Sequence, residues 1–304
     1  MSGKSTPSPI LGLSWRVLRF VPGMGAPFDR FDPTGPELPI IVEVPHAGLE
    51  LEARFLEPLA APARAIARDA DLYVDALYRD APAAGATLLA CRVSRYVIDV
   101  NRAESDIDGD VVEGGRADIR MQHGLVWRTT SDGEQALTRR LTTTELEERL
   151  ALVWRPYHRE LAAIIERKRS LFGVAVVIAA HSMPSVDRGR SRSSRDESGP
   201  LEPRADVVPG TRGRKSAAAK FIDAVEAHAR ANGWSVRHDD PYPGGFTTQR
   251  YGRPSERVHA VQVELSRRLY LDEGALRPLP NFQKVQAWCR ALVARMGELA
   301  TSSP

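Results

Sequence analysis

Two histidines and one glutamate stand in or after apolar segments that have the composition of buried strands. His46 follows "IIVEVP", His181 follows "VAVVIAA", and Glu264 lies within "VHAVQVELS". The carboxyl ends of parallel strands meet at one edge of a sheet, which is where ligands usually bind. Imidazole nitrogens and carboxylate oxygens are donors that zinc prefers. The pattern therefore predicts a zinc site that includes both histidines, although structural hydrogen-bonding roles for them are equally open.

The segment "RDADLYVD" offers candidates for a third ligand, namely Asp69, Asp71 and Asp75. A catalytic zinc takes three protein ligands and keeps one position for water. It lowers the pKa of that water and polarises a carbonyl group. The same aspartates could instead cap a helix or lie on its solvated face, because Asp favours both positions.

Glu264 is the candidate for proton transfer. It lies among Val261, Val263 and Leu265, and a carboxylate buried there without a partner would be costly. Beside a zinc ion, such a glutamate could accept the proton of the attacking water and pass it to a leaving amine. The alternation of a strand also allows Glu264 to point to solvent, so the pattern leaves both interpretations open.

The segment "RYVIDVNR" frames an apolar run with Arg95, Asn101 and Arg102. Guanidinium groups bind carboxylates in a bidentate manner, and an amide adds direction. These residues fit a substrate that has an anionic amino-acid end and a hydrolysable acyl group. The alternative is that both arginines pair with acidic residues at the surface.

Strands that alternate with long helices predict an α/β fold, with a mixed, largely parallel central sheet and helices on both faces. The predicted strands are "PIIVEV", "ATLLACRVSRYVIDV" (one or two strands), "GVAVVIAA", "WSVRH" and "VHAVQVELS". The predicted helices span residues 60–81, 142–172, 216–232 and 281–299.

Two further predictions concern boundaries. Thr144 and Glu147 have the spacing of a capping box for the second helix. Residues 1–36 are rich in Pro, Gly, Ser and Asp and are predicted to be an irregular lead-in, whereas residues 37–304 are predicted to form one domain.

The chain of 304 residues carries a net charge of +3, and much of its basicity lies in one stretch. That stretch contains Arg188, Arg190, Arg192, Arg195, Arg204, Arg212, Arg214 and Lys215. It lacks interleaved aromatic residues, which disfavours nucleic acid as a partner. Two distant cysteines and no long apolar run predict a cytoplasmic protein without a membrane partner, either a monomer or a small homo-oligomer.

Other hydrolase and nucleotide-binding classes are disfavoured by missing motifs. Ser182 is adjacent to His181, but no G-x-S-x-G turn is present. The segment "GTRGRKSA" lacks the spacing of a P-loop, and no G-x-G-x-x-G follows a strand.

Seven segments occur in the order found in the N-formylglutamate amidohydrolase family, which this chain resembles over residues 38–300. They are "VEVPHAG", "DADLYVDALY", "CRVSRYVIDVNR", "AAHS", "GTRGRKSA", "GGFTTQRYGRP" and "VHAVQVELSRRLYLDE". The resemblance implies a fold like that of the zinc carboxypeptidases and of the aspartoacylase and succinylglutamate desuccinylase group.

The resemblance also implies a role for individual residues. It implies one Zn²⁺ held by His46, Asp71 and His181, with Asp69 as the second choice for the carboxylate ligand. It implies that Glu264 and Arg95 are catalytic. The implied substrate-binding residues are Arg95, Asn101, Arg102, Gly245 and Thr247.

The activity implied is hydrolysis of an N-acyl amino acid such as N-formyl-L-glutamate, which releases formate and the amino acid. Two alternatives stay open. One is a metallocarboxypeptidase or amidase that acts on small peptides or cell-wall fragments. The other is a carboxylate-binding homologue without catalytic activity.

Overall fold

The computed structural model describes residues 19–21, 25–116, 118–186 and 202–302, and residues 19–21 by their backbone alone. Within these ranges the strands are β1 (Arg19–Val21), β2 (Phe28–Phe31), β3 (Ile40–Val44), β4 (Glu50–Glu52), β5 (Thr87–Cys91), β6 (Ala175–Met183), β7 (Val207–Gly210), β8 (Val258–Ser266), β9 (Leu271–Asp272) and β10 (Arg277–Pro278). Strands β1 and β4 form a parallel pair, and β9 and β10 an antiparallel pair.

The remaining described strands form one central sheet in the order β2-β5-β3-β6-β8-β7. Strands β5, β3, β6 and β8 are parallel, and the edge strands β2 and β7 are antiparallel to their neighbours. Every residue of β3, β5, β6 and β8 is buried, as expected for parallel strands that are covered on both faces. The prediction of a mixed, largely parallel sheet is therefore confirmed.

Helices cover both faces of this sheet. The α-helices of the described chain are α1 (Ala63–Asp69), α2 (Val74–Leu77), α3 (Thr143–Arg149), α4 (Arg155–Phe172), α5 (Ala219–Ala231), α6 (Phe246–Tyr251) and α7 (Phe282–Thr301). Helices α3 and α4 pack on one face, and α2, α5 and α7 pack on the other. None of the described helices has the length and apolar character needed to cross a membrane.

Helices α3 and α4 form one continuous element, because a π-helical segment, Leu150–Trp154, joins them. Together they cover the helix predicted over residues 142–172, and the apolar side chains of this segment, such as Leu146, Val153 and Leu161, are buried against the sheet. Gly173 follows the last residue of α4 and caps the helix, and its φ of 69° is the left-handed conformation that glycine adopts most easily. The capping box is present, but Thr142 and Glu145 form it, so the prediction of Thr144 and Glu147 was wrong by two residues.

Successive residues of a strand point to opposite faces, and β8 shows the consequence. Val261, Val263 and Leu265 belong to the core under α5 and α7. Val258 and Ala260 belong to the core under α3 and α4, so Gln262 and Glu264 point to that same side. By the same alternation Glu43 and His181 also point to the α4 side, whereas His259 packs against Phe221 of α5 on the other side.

Several local predictions differ from the structure. The segment 95–100 is a buried turn and not a strand, because Val97 N–H and Arg102 N–H donate to Ser94 and Asp99 carbonyl groups. The apolar side chains of this turn fill the core under α4, which accounts for a composition that resembles a buried strand. The predicted helix 60–81 is broken into α1 and α2 around Tyr73, whose φ of 66° is left-handed.

Two more segments were assigned wrongly. "WSVRH" is not a strand, since only Val236 forms a bridge, to Val207. The lead-in 1–36 contains β1 and β2, and β2 is an edge strand of the central sheet.

The part of the predicted basic stretch from Arg188 to Arg195 lies outside the described residues. Within the described part, Arg204 stacks on Tyr242, and Arg214 pairs with Asp223.

The observed capping box yields a stability test. We expect Thr142→Ala to lower the free energy of unfolding by about 1 kcal/mol, because the hydroxyl that accepts the Glu145 N–H bond is lost. Thr144→Ala, at an exposed position inside α3, is the matched control and should change it by less than about 0.5 kcal/mol. Urea unfolding of both variants measures the difference. A larger loss in the control would contradict the assignment.

Candidate metal and catalytic centre

Three predicted ligands come together at the carboxyl edge of the central sheet. His46 follows β3, His181 lies near the end of the adjacent strand β6, and Asp71 lies in the break between α1 and α2. Asp71 Oδ2 lies 3.1 Å from His181 Nδ1 and 3.6 Å from His46 Nδ1. The two imidazole rings are 4.9 Å apart between centroids. All three side chains are buried, and their ligand atoms lie within 4.8 Å of one another.

This donor set fits a divalent metal ion such as zinc. Zinc binds nitrogen and oxygen ligands at about 2.1 Å, so tetrahedral ligand atoms are separated by about 3.4 Å. The two distances from Asp71 Oδ2 are close to that separation. His46 Nε2 lies 2.7 Å from Asp99 Oδ1, and this bond directs Nδ1 and its lone pair toward Asp71. A buried group made of His46, Asp71 and His181 can therefore hold a metal ion.

The charges of this group depend on one another. Burial alone would raise the pKa of Asp71, but hydrogen bonds and charge interactions with His181 and His46 lower that pKa well below its usual range. Burial opposes protonation of His181, yet the carboxylates of Asp71 and Glu264 raise its pKa. Asp71 is thus ionised, which is the state that a metal ligand requires.

Glu264 lies beside His181, because these two residues are partners in the register of β6 and β8. Gln262 fixes its orientation: Gln262 Oε1 accepts a bond of 2.9 Å from Gly245 N–H, so Gln262 Nε2 must donate to Glu264 Oε1, at 2.9 Å. Burial raises the pKa of Glu264, and the negative charge of Asp71 adds to this. The glutamate is therefore a carboxylate with increased affinity for a proton.

Arg95 lies next to His46 and forms hydrogen bonds within the protein. Its Nη2 donates to Asp99 Oδ2 at 3.1 Å and lies 2.8 Å from His46 Nδ1 and 3.1 Å from His46 Nε2. Its Nη1 donates to the Asp69 carbonyl at 3.2 Å. The guanidinium stacks 4.5 Å from the ring of Trp127, whose Nε1–H also bonds Asp99. Burial would raise the pKa of Asp99, but the charges of His46 and Arg95 lower it well below its usual range.

Asn101 and Arg102 are held in place by residues of α4 and of the π-helical segment that precedes it. His158 Nε2 lies 2.8 Å from the Val100 carbonyl oxygen, and Trp154 Nε1–H donates to the Arg102 carbonyl at 2.9 Å. Asn101 Nδ2 lies 3.2 Å from His181 Nε2, so the amide borders the metal group. The Arg102 guanidinium, by contrast, has no ion pair or side-chain hydrogen bond with any described residue. It is a cation available to an anion.

Gly245 and Thr247 support this amide. Thr247 N–H donates to Asn101 Oδ1 at 3.0 Å, and Thr247 Oγ1–H donates to the buried Glu43 at 3.2 Å. A Cβ atom on Gly245 would lie only 2.4 Å from Asn101 Nδ2. Thr247 thus bonds Asn101 and Glu43, and the Gly245 N–H bonds Gln262, so these polar groups of the two predicted substrate-binding residues have partners within the protein.

Asp69, the second choice for the third ligand, has other partners. Its Oδ2 accepts from Tyr96 Oη–H at 2.5 Å and from Ser131 N–H at 3.0 Å, while Arg68 bonds its Oδ1. The group that can hold a metal contains Asp71 and not Asp69.

Comparison with known proteins agrees with this geometry. The model of the family described as N-formylglutamate amidohydrolase matches residues 38–271. The chain belongs to the N-formylglutamate amidohydrolase family. It is therefore a member of a family of hydrolases that act on linear amides, and the resemblance inferred from the seven segments is confirmed.

Relatives match this family member over most of their length. An N-formylglutamate deformylase of Pseudomonas aeruginosa is 34% identical, over 78% of this chain and 84% of the relative. One from Pseudomonas putida is 32% identical, over 78% of this chain and 83% of the relative. The crystal structure of an N-formylglutamate amidohydrolase from Ralstonia eutropha has a TM-score of 0.81 and 31% identity, covering 90% of this chain and 98% of the other.

Sequence reasoning missed several residues that complete the centre of this amidohydrolase family member. These are Glu43, Asp99, Ser182, Gln262 and Arg267. Glu43 and Gln262 each interrupt an apolar strand, which is the signal that singled out Glu264. Asp99 interrupts an apolar run in the same way, but the assignment of that run as a strand hid its role.

The close approach of Gly245 to Asn101 gives a test that does not depend on activity. Gly245→Ala should lower the free energy of unfolding by about 1–3 kcal/mol, because the added methyl group overlaps the Asn101 side chain. Gly35→Ala is the matched control, since a Cβ atom there meets nothing within 4 Å, and it should change stability by less than about 0.5 kcal/mol. Denaturant unfolding measures both. Equal stability of the two variants would show that the contact is absent.

Proposed function

We propose that this protein is a zinc-dependent N-formylglutamate deformylase: it hydrolyses the amide of N-formyl-L-glutamate or a close N-acyl amino acid. The observation that carries the proposal is the buried group of His46, Asp71 and His181 with Glu264 on the adjacent strand. The family and the two deformylases that are 34% and 32% identical support this choice of substrate.

His46, Asp71 and His181 are the residues that would hold the ion. When bound, a zinc ion supplies Lewis acidity toward a carbonyl oxygen and lowers the pKa of a water ligand. Asp99 keeps His46 in the tautomer that presents Nδ1. Arg95 holds Asp99 and His46 in place, and its predicted direct role toward the substrate stays a prediction.

Glu264 is proposed to move the proton. The attack of water on the formyl carbon releases a proton, and the departing nitrogen needs one when the C–N bond breaks. Glu264 accepts the first on its carboxylate and donates it to the amine, so formate and the free amino acid are formed without another acid or base. Its raised pKa suits this task, because a stronger base removes the proton of water more readily.

Arg102 is proposed to bind the α-carboxylate of the substrate, with Asn101 beside it. The guanidinium forms no direct ion pair or side-chain hydrogen bond with a described residue, although its charge helps to lower the pKa of Asp99, and its backbone is fixed by Trp154. A charge-assisted pair with a carboxylate provides both affinity and direction. Asn101, the preceding residue, places its amide 3.2 Å from His181 Nε2.

The first experiment is a substrate panel with the zinc-loaded protein. N-formyl-L-glutamate, N-acetyl-L-glutamate and a glutamate-containing dipeptide are compared by release of formate, acetate or free amino acid. Formate release should be fastest. Preferred cleavage of the dipeptide would favour the metallocarboxypeptidase alternative, and zinc binding without hydrolysis of any member would favour a binding protein.

Glu264→Gln tests the proton transfer. We expect the variant to bind zinc as the wild type does, and its kcat to fall by about 10²–10⁴-fold, because the amide cannot accept a proton. Steady-state kinetics and metal analysis of the same preparation measure both effects. Glu256→Gln, at an exposed residue paired with Arg253, serves as the control. A near-normal kcat in Glu264→Gln would assign the proton transfer to another group.

Arg102→Met tests the carboxylate site. KM for N-formyl-L-glutamate should rise at least tenfold, because the cation that pairs with the α-carboxylate is removed. A substrate with a carboxamide in place of that carboxylate should be hydrolysed equally by variant and wild type. Arg159→Met, on the exposed side of α4, is the control. If KM is unchanged in Arg102→Met, the substrate carboxylate is bound elsewhere.

A further inference from the structure

Arg267 is a buried arginine next to the metal group. It follows β8 directly and begins a short 3-10 helix, Arg267–Leu269, and its side chain is only 5% exposed. A buried guanidinium needs acceptors for its N–H groups, because an unpaired buried charge is very costly. The acceptors that it finds all belong to the two segments that carry Asp71 and His181.

The first set of acceptors is the chain at the break after α1. Arg267 Nη1 donates to the Arg68 carbonyl at 2.6 Å, and Nη2 donates to the Ala70 carbonyl at 2.8 Å. The last carbonyl groups of a helix have no partner within the helix. Arg267 supplies donors there, so the backbone can leave the helix and place Asp71 in the break. The Asp71 N–H is bound in turn by the His46 carbonyl at 2.9 Å.

The second acceptor is the carboxylate of Asp71. Its Oδ1 lies 3.3 Å from Arg267 Nη2 and 3.4 Å from Ser182 Oγ, whereas its Oδ2 faces the two imidazoles. The two oxygens thus have different partners. One is held by the protein, and the other is presented toward His46 and His181.

Ser182 completes the link. Arg267 Nε donates to Ser182 Oγ at 3.2 Å, and Ser182 is the residue after His181 on β6. One guanidinium therefore joins the end of β8, the end of β6 and the break between α1 and α2. These three segments carry Glu264, His181 and Asp71.

We infer that Arg267 is a positioning residue for the metal ligand Asp71. It holds the backbone on both sides of the α1 end and binds Oδ1, so that Oδ2 is fixed at the distance a shared ion requires. The inference rests on the proposed metal site. The proposed role depends on the shape of the guanidinium as well as on its charge. The single ammonium group of a lysine cannot reach all four acceptors, namely two carbonyl groups, the Ser182 hydroxyl and the Asp71 carboxylate, with the geometry of a planar fork.

The experiment compares Arg267→Met and Arg267→Lys with the wild type and with Arg268→Met. Arg268 is the matched control, because it is adjacent in sequence but pairs with Asp206 away from the metal group. Zinc affinity is measured by competition with a chromophoric chelator, and the unfolding of the metal-free proteins is measured in parallel. The absorption spectrum of the Co²⁺ form reports the ligand arrangement.

We expect zinc affinity to fall by about 10–100-fold in Arg267→Met, as is usual when a partner of a metal ligand is removed. Arg267→Lys should recover only part of it, and both variants should have altered Co²⁺ spectra. Arg268→Met should match the wild type. If Arg267→Met does not fold, Arg267→Lys is judged by the same criterion, since it keeps the positive charge in the site.

Two results would contradict the inference in different ways. In the first, folded Arg267 variants have the zinc affinity and the Co²⁺ spectrum of the wild type, and only the stability of the metal-free protein is reduced. Arg267 would then be a purely structural residue. Failure of the wild type itself to bind zinc or Co²⁺ would remove the proposed metal site on which the inference rests.

Discussion

The buried carboxylate of Asp71, shared between two imidazoles, is the interaction on which the centre depends. A carboxylate taken out of water needs compensating charge and hydrogen bonds. Here Asp71 lies near two further buried carboxylates, Asp99 and Glu264. Arg95 and Arg267 balance part of this negative charge through direct bonds to Asp99 and Asp71. A divalent cation would balance more of it, which is a physical reason for acids to be concentrated here.

The α4 side of the sheet acts as a rigid support for this centre. Trp154 and His158 hold the turn that carries Asn101, and Tyr157 donates to Glu43 at 2.9 Å. Burial raises the pKa of Glu43, whose Oε1 also accepts from Thr247. Helix α4 therefore holds the backbone before Asn101 through His158, and Glu43 of β3 holds Thr247, which bonds the Asn101 amide. Buried hydrogen bonds fix the position of this amide.

The general architecture could be predicted because strong periodic patterns encode it. β8 has the bounds of the predicted strand "VHAVQVELS", and α4, α5 and α7 overlap the helices predicted over residues 142–172, 216–232 and 281–299. His46 and His181 could be identified as candidate metal ligands for a related reason, since strands with buried compositions place their carboxyl ends at one edge. Asp71 could be chosen over Asp69 only through the family resemblance, because both aspartates fit the local pattern equally.

Two of the errors, at residues 95–100 and 70–73, have a common physical origin. Residues 95–100 and 70–73 are held by contacts with distant parts of the chain, such as His158 with Val100 and Arg267 with Ala70. Those contacts override local preference, so an apolar run becomes a buried turn and a helical pattern breaks. Arg267 itself gave no signal in the sequence, because an arginine after a strand is usually solvent-exposed.

The alternation along β8 has an evolutionary consequence. Val261, Val263 and Leu265 belong to the core under α5 and α7, where aliphatic exchanges that conserve volume are tolerated. Gln262 and Glu264, one residue away, belong to a polar network in which each group has a required partner. Aliphatic exchanges in the first set can therefore adjust the packing of this strand while the hydrogen bonds of the candidate centre stay in place.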